Sequence, residues 1–515
     1  VYYGAYLQDD FHVSKKLTLN LGFRWEYEAP RTERYDQMTR GFAYNTPNPL
    51  QSKVPSLKLN GGLLFANVGG QPRGQTDAYW KNFAPRIGIA YQVHPKLVVR
   101  TGYGVFYSGT TTMGRGTGAS PGFSIATPMV TTIDGVNPYD TLKNPFPNGL
   151  LNPIGSSQGL LTLVGQSVSF TEVTRPITYS QQYSFGLQFE PLRALMVEAT
   201  YSGNRGIHLQ NSNQNVNQLT TAQMQLGDAL LTRVSNPFFG LITTGSLATT
   251  ATTTAQLLRP YPQFTGVTRR EFTDGSSTYH ALLLRVERRF GKGLTFIGSY
   301  TNSKMIDNVG NRQDNYNLAA ERSLSTLHTP QRLTVAGVWE IPVGPGRRWR
   351  GGPNPFLRKI VEGWQLDWIG TLQTGLPLSV TSNSNTSQSQ GGGQRPNSTG
   401  KSAKLEGRTQ DRLGRYFDIT QFVNAPAFRF GSLSRTLPDI LGPGLHDWDI
   451  SLIKTTRIGE HLKFQLRGET FNIWNHPAFA NPGTSFGTAS FGRINNVANR
   501  ANPARQIQLA AKLFW

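Results

Sequence analysis

Long alternating stretches, a repeated strand-pair unit and an aromatic C-terminal strand predict that this 515-residue chain is all-β and forms a transmembrane antiparallel β-barrel. In Leu17–Glu28 every odd position is apolar or aromatic, and every even position is polar or glycine. Such alternation places the two sets on opposite faces of a strand. The stretch is about twice as long as a typical soluble strand and suits a tilted membrane-spanning strand, which needs roughly 9–11 residues.

The chain ends on a strand with an aromatic terminus. One face of this strand carries Ile507, Leu509, Ala511, Leu513 and Trp515, and the intervening residues lie on the other. Chain ends normally fray and face water, whereas the last strand of an outer-membrane barrel closes the barrel and carries an aromatic anchor at the periplasmic interface. Taken alone, the segment also fits a strand docked in a soluble sheet; the strand pairs before it favour the barrel.

Six strand pairs precede this terminal strand, and a short polar turn joins the strands of every pair except the fifth. The predicted strands are Val1–His12, Leu17–Glu28, Asn82–Val93, Leu97–Tyr107, Ile177–Glu190, Ala194–Ser202, Tyr279–Phe290, Leu294–Ser303, Leu327–Ile341, Trp364–Thr374, Leu445–Ile458, Leu462–Trp474 and residues 505–515. Long segments rich in Gly, Pro, Asn, Ser and Thr separate the pairs. This asymmetry predicts short periplasmic turns at one edge and long extracellular loops at the other.

The loops contain a few features of their own. A short helix is predicted near Thr221–Arg233, since Thr can cap its start and Asn236-Pro237 follows its end. Two low-complexity stretches, Thr243–Thr254 and Thr381–Gly393, are expected to be flexible. Neither stretch indicates a cofactor site.

Composition excludes several classes of protein. No run of about 18 apolar residues is present, so a transmembrane helix is not expected. Cysteine is absent, which excludes disulfide scaffolds, thiolate metal sites and a cysteine nucleophile. The start, Val1-Tyr2-Tyr3-Gly4, lacks the basic and apolar regions of an export signal.

The formal charge of +21 raises the question of an anionic partner. The basic residues are scattered apart from Arg347–Arg350, near Arg358-Lys359, and no nucleic-acid-binding motif accompanies them. The charge is therefore interpreted as contact with outer-membrane lipid headgroups and lipopolysaccharide phosphates, not with nucleic acid. The run Arg347–Arg350 is interpreted as a solvated basic loop, with contact to a periplasmic partner as the alternative.

The number of strands carries information about the whole barrel. If the turns are periplasmic and the last strand runs down to a periplasmic C-terminus, thirteen strands put Val1 at the extracellular rim. Single-chain bacterial barrels have an even number of strands. Residues 1–515 are therefore expected to be the C-terminal part of a larger barrel, with the signal peptide, N-terminal extension, plug and first strands absent.

Several segments together resemble the TonB-dependent transporter family, specifically its Oar-like barrels with a carboxypeptidase-regulatory-like N-terminal domain. The segments that carry the resemblance are Leu7–Phe11, Leu17–Arg24, Ala84–Gly88, Gly102–Tyr107, Glu287–Leu294, Ser299–Thr301, Gly363–Leu366, Thr374–Pro377 and Arg467–His476. The resemblance implies a barrel of about 22 strands, so roughly nine would lie upstream. It also implies a plug and a TonB box upstream, through which the TonB complex would act.

The resemblance further implies that Leu509, Leu513 and Trp515 form the signal that the outer-membrane barrel assembly machinery reads. Apart from these residues, the candidate functional residues are three Arg-x-Glu pairs opposite the apolar face: Arg24/Glu26, Arg285/Glu287 and Arg467/Glu469. One interpretation is a polar lumen wall that contacts the plug or a substrate. The favoured alternative is a cross-strand charge ladder that stabilises the lumen.

These observations lead to an expected function. The chain is expected to serve energy-coupled uptake of a large nutrient, such as an oligosaccharide, peptide or metal chelate, across the outer membrane of a Gram-negative-type bacterium. The alternatives are a surface adhesion or secretion-linked barrel and a passive porin. Neither enzymatic activity nor a cofactor is expected, because the eight histidines are dispersed and Asp447/Asp449 form only a common i, i+2 pair.

Overall fold

A computed structural model describes residues 1–109, 120–211, 213–291, 293–344, 348–349, 354–459, 461–498 and 504–515. Thirteen long strands form one antiparallel sheet in which each strand pairs with the next one along the chain. They are β1 Tyr2–Ser14, β2 Leu17–Glu28, β3 Asn82–His94, β4 Leu97–Tyr107, β5 Tyr179–Leu192, β6 Leu195–Leu209, β7 Gly275–Gly291, β8 Leu294–Asp307, β9 Gln331–Glu340, β10 Trp364–Gln373, β11 Leu445–Ile458, β12 Leu462–Phe471 and β13 Gln506–Phe514. The predicted strand pairs are confirmed.

The sheet has two free edges. Among the described residues, β1 pairs only with β2, and β13 pairs only with β12. Both outermost strands therefore present a row of backbone N–H and C=O groups on one side, which favours further pairing.

The two faces of the sheet differ in chemistry, as the alternation predicts. Register places Phe23 opposite Leu7, and Leu466 opposite Ala511, on one continuous face. Many apolar side chains on this face are exposed, including Leu21, Phe23, Ile87, Phe185, Leu284, Leu452, Leu466, Leu509 and Leu513. Exposed apolar residues on one face and polar residues on the other are the pattern of a transmembrane barrel, with lipid outside and a polar lumen. The two faces are called the lipid face and the lumen face below.

The buried hydrophobic core lies in the loops rather than in the sheet. The long loops meet at the strand ends opposite the short turns, which form the extracellular rim of the barrel. One cluster around Phe417, Leu437 and Phe491 joins the last two long loops. Another, around Phe42 and Phe170, joins the first, second and third long loops. In a transmembrane barrel, lipid covers the apolar face of the strands. Only the loop layer therefore needs a hydrophobic core made of protein side chains.

Short elements build this loop layer. Its strands are Thr39–Phe42, Leu63–Phe65, Ser167–Thr171, Gln214–Asn215, Arg233–Ser235, Ala251–Thr253, Gly266–Arg270, Ser323–Leu324, Thr381–Ser382, Asn397–Ser398, Phe422–Val423 and Ser485–Phe486. Its α-helices are α1 Thr221–Met224 and α2 Thr254–Leu257. The 3-10 helices are Pro49–Ser52, Gly159–Leu161, Gly227–Leu231, Ser246–Ala248, Leu318–Glu321, Thr409–Arg412 and Ile419–Gln421.

The helix predicted near Thr221–Arg233 is shorter than expected. Helix α1 is capped by Thr220, whose hydroxyl accepts a hydrogen bond from the Gln223 backbone N–H, and it ends at Met224. The 3-10 helix Gly227–Leu231 follows. Gly227 has a positive φ of 57°, a conformation that interrupts a continuous α-helix.

The expectation that the two low-complexity stretches are flexible is wrong. Ser387 and Ser389 of the second stretch are buried. The Ser387 hydroxyl donates to Asn385 at 2.6 Å, and the Ser389 carbonyl accepts from the backbone N–H of Leu219 in the third long loop at 2.8 Å. In the other stretch Leu247 is buried in a hydrophobic cluster. Neighbouring loops supply the hydrogen-bond partners and the apolar contacts that composition alone does not reveal.

The long periplasmic connection between β9 and β10 contains a third helix, α3 Pro355–Val361. Asn354 caps its start, and Lys454 donates from Nζ to the Lys359 carbonyl at 2.7 Å near its end. Arg358 and Lys359 lie in its last turn. Of the basic run Arg347–Arg350, residues 347 and 350 lie outside the described residues. No helix in the described part of the chain is long and apolar enough to cross a membrane.

Candidate functional site

The first Arg-x-Glu pair lies on the lumen face of β2. Arg24 Nε is 2.5 Å from Glu26 Oε1, and Arg24 also donates to the Tyr2 hydroxyl at 2.8 Å. The strand pleat brings residues i and i+2 to the same side, so both side chains point away from Phe23. The Arg24–Glu26 ion pair therefore lies within one strand.

The second pair, on β7, has the same geometry. Arg285 Nη2 is 2.7 Å from Glu287 Oε2, and Arg289 Nε is 3.3 Å from Glu287 Oε1. Register places Arg285 directly opposite Glu198 of β6. Here a cross-strand juxtaposition of opposite charges accompanies the pair within the strand.

The third pair, on β12, is looser. Arg467 Nη2 is 3.6 Å from Glu469 Oε1, and the Ser451 hydroxyl donates to Glu469 at 3.5 Å. Register places Ala510 opposite Arg467 and Gln508 opposite Glu469. No cross-strand carboxylate faces this arginine among the described residues of its neighbours.

The three pairs are not brought together. They lie on β2, β7 and β12, so five strand positions separate each from the next. At about 4.8 Å per strand, that is roughly 24 Å along the sheet. The structure thus places three separate ion pairs around the lumen wall, mostly within single strands rather than as a ladder. Their contact with a plug or substrate stays a prediction.

A basic recess lies on the lumen face near the periplasmic turns. A cavity of about 420 Å³ is lined by Lys96, Arg100, Arg193, Arg289 and Glu190, among others. The four cations exceed Glu190 and the Glu287 carboxylate paired with Arg289, so this part of the wall keeps a net positive charge suited to an acidic segment or solute. The sequence offered no signal for it, because its cations come from three distant segments of the chain, near residues 96–100, 193 and 289.

Buried charges tie the extracellular loops to one another. Arg395 makes a bidentate pair with Glu321, at 2.8 and 2.9 Å. The Gln313 backbone N–H donates to Glu321 at 3.1 Å, and the Gln313 side-chain oxygen accepts from the Arg395 backbone N–H at 2.8 Å. Arg435 also pairs with Asp307 and donates to the Glu321 carbonyl at 3.1 Å. The fourth and fifth long loops are thereby joined at a point removed from water.

A second network joins the first three long loops. The Tyr44 hydroxyl donates to Glu172 at 2.9 Å, and Arg269 lies 3.5 Å from the same carboxylate. Burial and the neighbouring Glu172 raise the pKa of Tyr44 above its usual range, so the phenol remains a donor. Arg269 also lies over the Phe272 ring, 4.0 Å from its centroid. Sequence reasoning missed both networks because their members are far apart in the chain.

A small cavity opens within the fifth long loop. It has a volume of about 240 Å³ and lies between residues 398–403 and 433–440. Phe422 and Leu437 line its apolar side, and the Ser402 hydroxyl donates to the Asp439 carboxylate on its polar side. Lys401 adds a cation. Such a recess can receive a small polar group of a larger solute.

Two histidines that are dispersed in the sequence meet in the structure. His446 Nδ1 and His476 Nδ1 lie 2.9 Å apart at the start of β11 and in the last loop. Among the described residues no group of three or more His, Asp or Glu is arranged to hold a metal ion. The pair joins a strand end to a loop.

The proposed assembly residues lie at the free edge. Leu509 and Leu513 share the lipid face of β13 and are exposed. Trp515 follows Phe514, the last residue of β13, and is 92% exposed. Recognition of these residues by the assembly machinery stays a prediction.

Comparison with known proteins gives a family match over nearly the whole chain. The model of a family described as "Outer membrane beta barrel domain" matches residues 1–508. A search of curated proteins finds no match.

Several solved outer-membrane proteins are similar at low identity. The ferripyoverdine receptor of Pseudomonas aeruginosa has 10% identity and a TM-score of 0.39, covering 100% of this chain and 38% of that chain. The outer membrane transporter YddB from Escherichia coli has 10% identity and a TM-score of 0.44, covering 100% and 45%. The siderophore receptor PiuA from Acinetobacter baumannii has 9% identity and a TM-score of 0.40, covering 100% and 43%. This chain spans less than half the length of each of them.

Proposed function

This chain belongs to the outer-membrane β-barrel domain family, and we propose that it forms much of the barrel wall and the outer loops of a TonB-dependent, Oar-like transporter. The observation that carries the proposal is a polar lumen wall joined to an extracellular loop layer with its own buried core. A passive pore needs no such layer, whereas a receptor for a scarce solute needs loops held in one arrangement.

The rest of the barrel belongs to the same proposal. We propose that roughly nine further strands complete the wall between β13 and β1, and that an upstream plug with a TonB box fills the lumen. The unpaired outer sides of β1 and β13 support this, because a barrel in lipid tolerates no open edge.

The proposed substrate is a large nutrient: an oligosaccharide, a peptide or a metal chelate. The cavity in the fifth loop offers both apolar and polar lining and would contact only one part of such a solute. The lumen wall would then contact the plug or the passing solute through Arg24/Glu26, Arg285/Glu287 and Arg467/Glu469.

Uptake by the full-length protein tests the proposal. A strain that lacks the gene is complemented with the wild-type protein and supplied with labelled nutrients of the three classes. Uptake of one class should depend on the gene and stop when the TonB complex is removed. Uptake that persists without the TonB complex would indicate a porin, and gene-dependent surface adhesion without any uptake would indicate an adhesion barrel.

Charge reversal tests the lumen wall separately. The variant Arg467→Glu with Glu469→Arg keeps the ion pair but inverts it toward the lumen. A wall that contacts plug or substrate predicts lost uptake at a normal level of folded protein. Loss of assembly would instead assign the pair to barrel stability.

A further inference from the structure

Three exposed cations lie together on the lipid face, where the sheet meets the loop layer. They are Arg205 on β6, Lys304 on β8 and Arg322 just before Ser323–Leu324; they are called the outward basic cluster here. Thr278 lies opposite Arg205 and its hydroxyl accepts a hydrogen bond from Arg322 at 3.4 Å. His280, two residues along the same face, lies opposite Lys304. Since opposed residues are about 5 Å apart and i, i+2 neighbours about 7 Å, the cluster surrounds a patch roughly 10 Å across.

No carboxylate neutralises this patch. Within the described part of the chain, none of the three cations lies in an ion pair. The two acids beside them in sequence, Asp307 and Glu321, are buried and paired with Arg435 and Arg395. The positive charge is therefore available to an external anion.

The height of the cluster matches the upper boundary of a membrane. Arg205 is ten residues from Leu195, where β6 leaves its periplasmic turn. At about 3.3 Å per residue and a tilt of about 40°, this is roughly 25 Å, the height of the apolar band of an outer-membrane barrel. Below the cluster Tyr201 lies opposite Leu282, and the Tyr201 hydroxyl is 2.6 Å from His280 Nδ1. A tyrosine with its hydroxyl directed toward the cations is typical of the membrane interface.

We propose that the outward basic cluster binds the phosphate groups of an outer-leaflet lipid, namely the phosphorylated glycolipid headgroup of lipopolysaccharide, while Tyr201 and Leu282 contact its acyl chains. Guanidinium and ammonium groups form short charge-assisted hydrogen bonds to phosphate, and partial removal from water strengthens them. The inference rests on the membrane-spanning fold and does not depend on the proposed transport.

Binding of purified lipid A to the full-length, detergent-purified protein tests the site. The test variant is Arg205→Gln with Lys304→Gln and Arg322→Gln. The matched control, Lys53→Gln with Lys58→Gln and Lys143→Gln, removes three exposed cations from loops away from the lipid face. Loss of each cation should weaken the affinity for lipid A about fivefold. The test variant should therefore bind bis-phosphorylated lipid A roughly a hundredfold more weakly than wild type, and the control variant should bind it as tightly as wild type.

Two further ligands separate lipid recognition from other sources of affinity. Lipid A without its phosphates should bind wild type as weakly as bis-phosphorylated lipid A binds the test variant. Inorganic phosphate should compete only at concentrations far above those of the lipid. Equal binding of both lipids, competition by dilute phosphate, or unchanged binding by the test variant would overturn the proposal.

Assembly of the variants is checked by heat-modifiable migration of the folded barrel. If the triple variant does not assemble, Lys304→Gln and its charge-preserving partner Lys304→Arg decide the question. The first should weaken binding about fivefold and the second should leave it unchanged. Equal affinities for these two variants would contradict the site.

Discussion

At the scale of single residues, the packing of the loop layer depends on buried arginines, whose charges must stay paired with buried carboxylates. The Glu321 side chain is 1% exposed and that of Arg395 is 7% exposed. Removing two charges from water costs several kcal/mol for each ion, and a bidentate geometry with additional hydrogen bonds is needed to offset it. Gln313 supplies those additional bonds. The pair therefore specifies which loops meet more than it adds net stability.

Breaking this pair from one side should destabilise the loop layer. Arg395→Met leaves the Glu321 carboxylate buried and uncompensated, so we expect the local opening free energy to fall by about 3–5 kcal/mol. Faster hydrogen exchange across residues 308–330 and 374–444 would measure this. Arg408→Met, which breaks the exposed pair with Asp411, should leave hydrogen exchange across these residues nearly unchanged. Similar effects of the two variants would contradict the argument, and Glu321→Leu added to Arg395→Met should recover part of the loss.

A histidine gives the same layer a pH dependence. Burial, and then the nearby Lys304, lower the pKa of His328 below its usual 6.5. Its Nδ1 accepts a hydrogen bond from the Met305 backbone N–H at 3.3 Å, which requires that nitrogen to be unprotonated. Because the unfolded loop binds the proton more readily, this contribution is present above about pH 6.5 and is lost as the pH falls through the folded-state pKa.

Hydrogen exchange or proteolysis at two pH values checks this dependence. The local stability near residues 303–330 should fall between pH 7.5 and pH 5 in wild type. His328→Gln should be less stable at pH 7.5 and should lose part of the pH dependence. A pH dependence unchanged in this variant would show that other groups cause it.

At the scale of elements, alternation along each strand determines what faces lipid. On the lipid face, Trp368 lies across Gly337 and Trp448 across Gly370 of the neighbouring strand. A Cβ at Gly370 would lie 2.7 Å from the Trp448 ring, so the glycine makes room for the indole. Glycines in these strands are therefore explained by aromatic packing between neighbours.

Two adjacent positions of β13 test the assignment of faces. Leu509→Lys puts a charge on the lipid face near mid-height and should destabilise the barrel by about 2–4 kcal/mol, lowering the amount of assembled protein. Gln508→Lys puts the same charge on the lumen face, opposite Glu469, and should be nearly neutral. Heat-modifiable migration and chemical denaturation in lipid measure both. Equal losses would mean that the two faces are not distinguished by lipid.

The strand bounds show what local pattern can and cannot predict. Strand β9 starts at Gln331 rather than Leu327, because Pro330 has no backbone N–H to donate to the sheet. Strands β6 and β7 extend beyond the predicted Ser202 and Tyr279, to Leu209 and from Gly275. These extensions consist mostly of glycine and polar residues, with Ile207 and Leu209 as the apolar exceptions, so alternation gives only a weak signal there.

At the scale of the whole molecule, the sheet of thirteen strands has two edges that do not pair with each other within the described residues. A barrel closed from these strands alone would have thirteen strands, and single-chain bacterial barrels have an even number of strands. We therefore expect other strands to separate β13 from β1 in the full-length protein.

Engineered cysteines can test this expectation, since residues 1–515 contain no cysteine of their own. Leu7→Cys combined in turn with Ile507→Cys, Leu509→Cys or Ala511→Cys should form no disulfide in the assembled full-length protein. Gly468→Cys with Leu509→Cys, which lie opposite each other on β12 and β13, should cross-link readily. A high yield from any β1–β13 combination would indicate that the thirteen strands close on themselves.

Local sequence patterns predict the strands, the two faces of each strand, the order of the strands and the ends of the strands that carry the long loops. These follow from local rules, since a period of two and short polar turns act between near neighbours in the chain. Tertiary packing is what orders the low-complexity loops, pairs Arg395 with Glu321, and brings Arg205, Lys304 and Arg322 to one patch of the lipid face. Those contacts join residues tens to hundreds of positions apart, and no periodicity in the sequence encodes them.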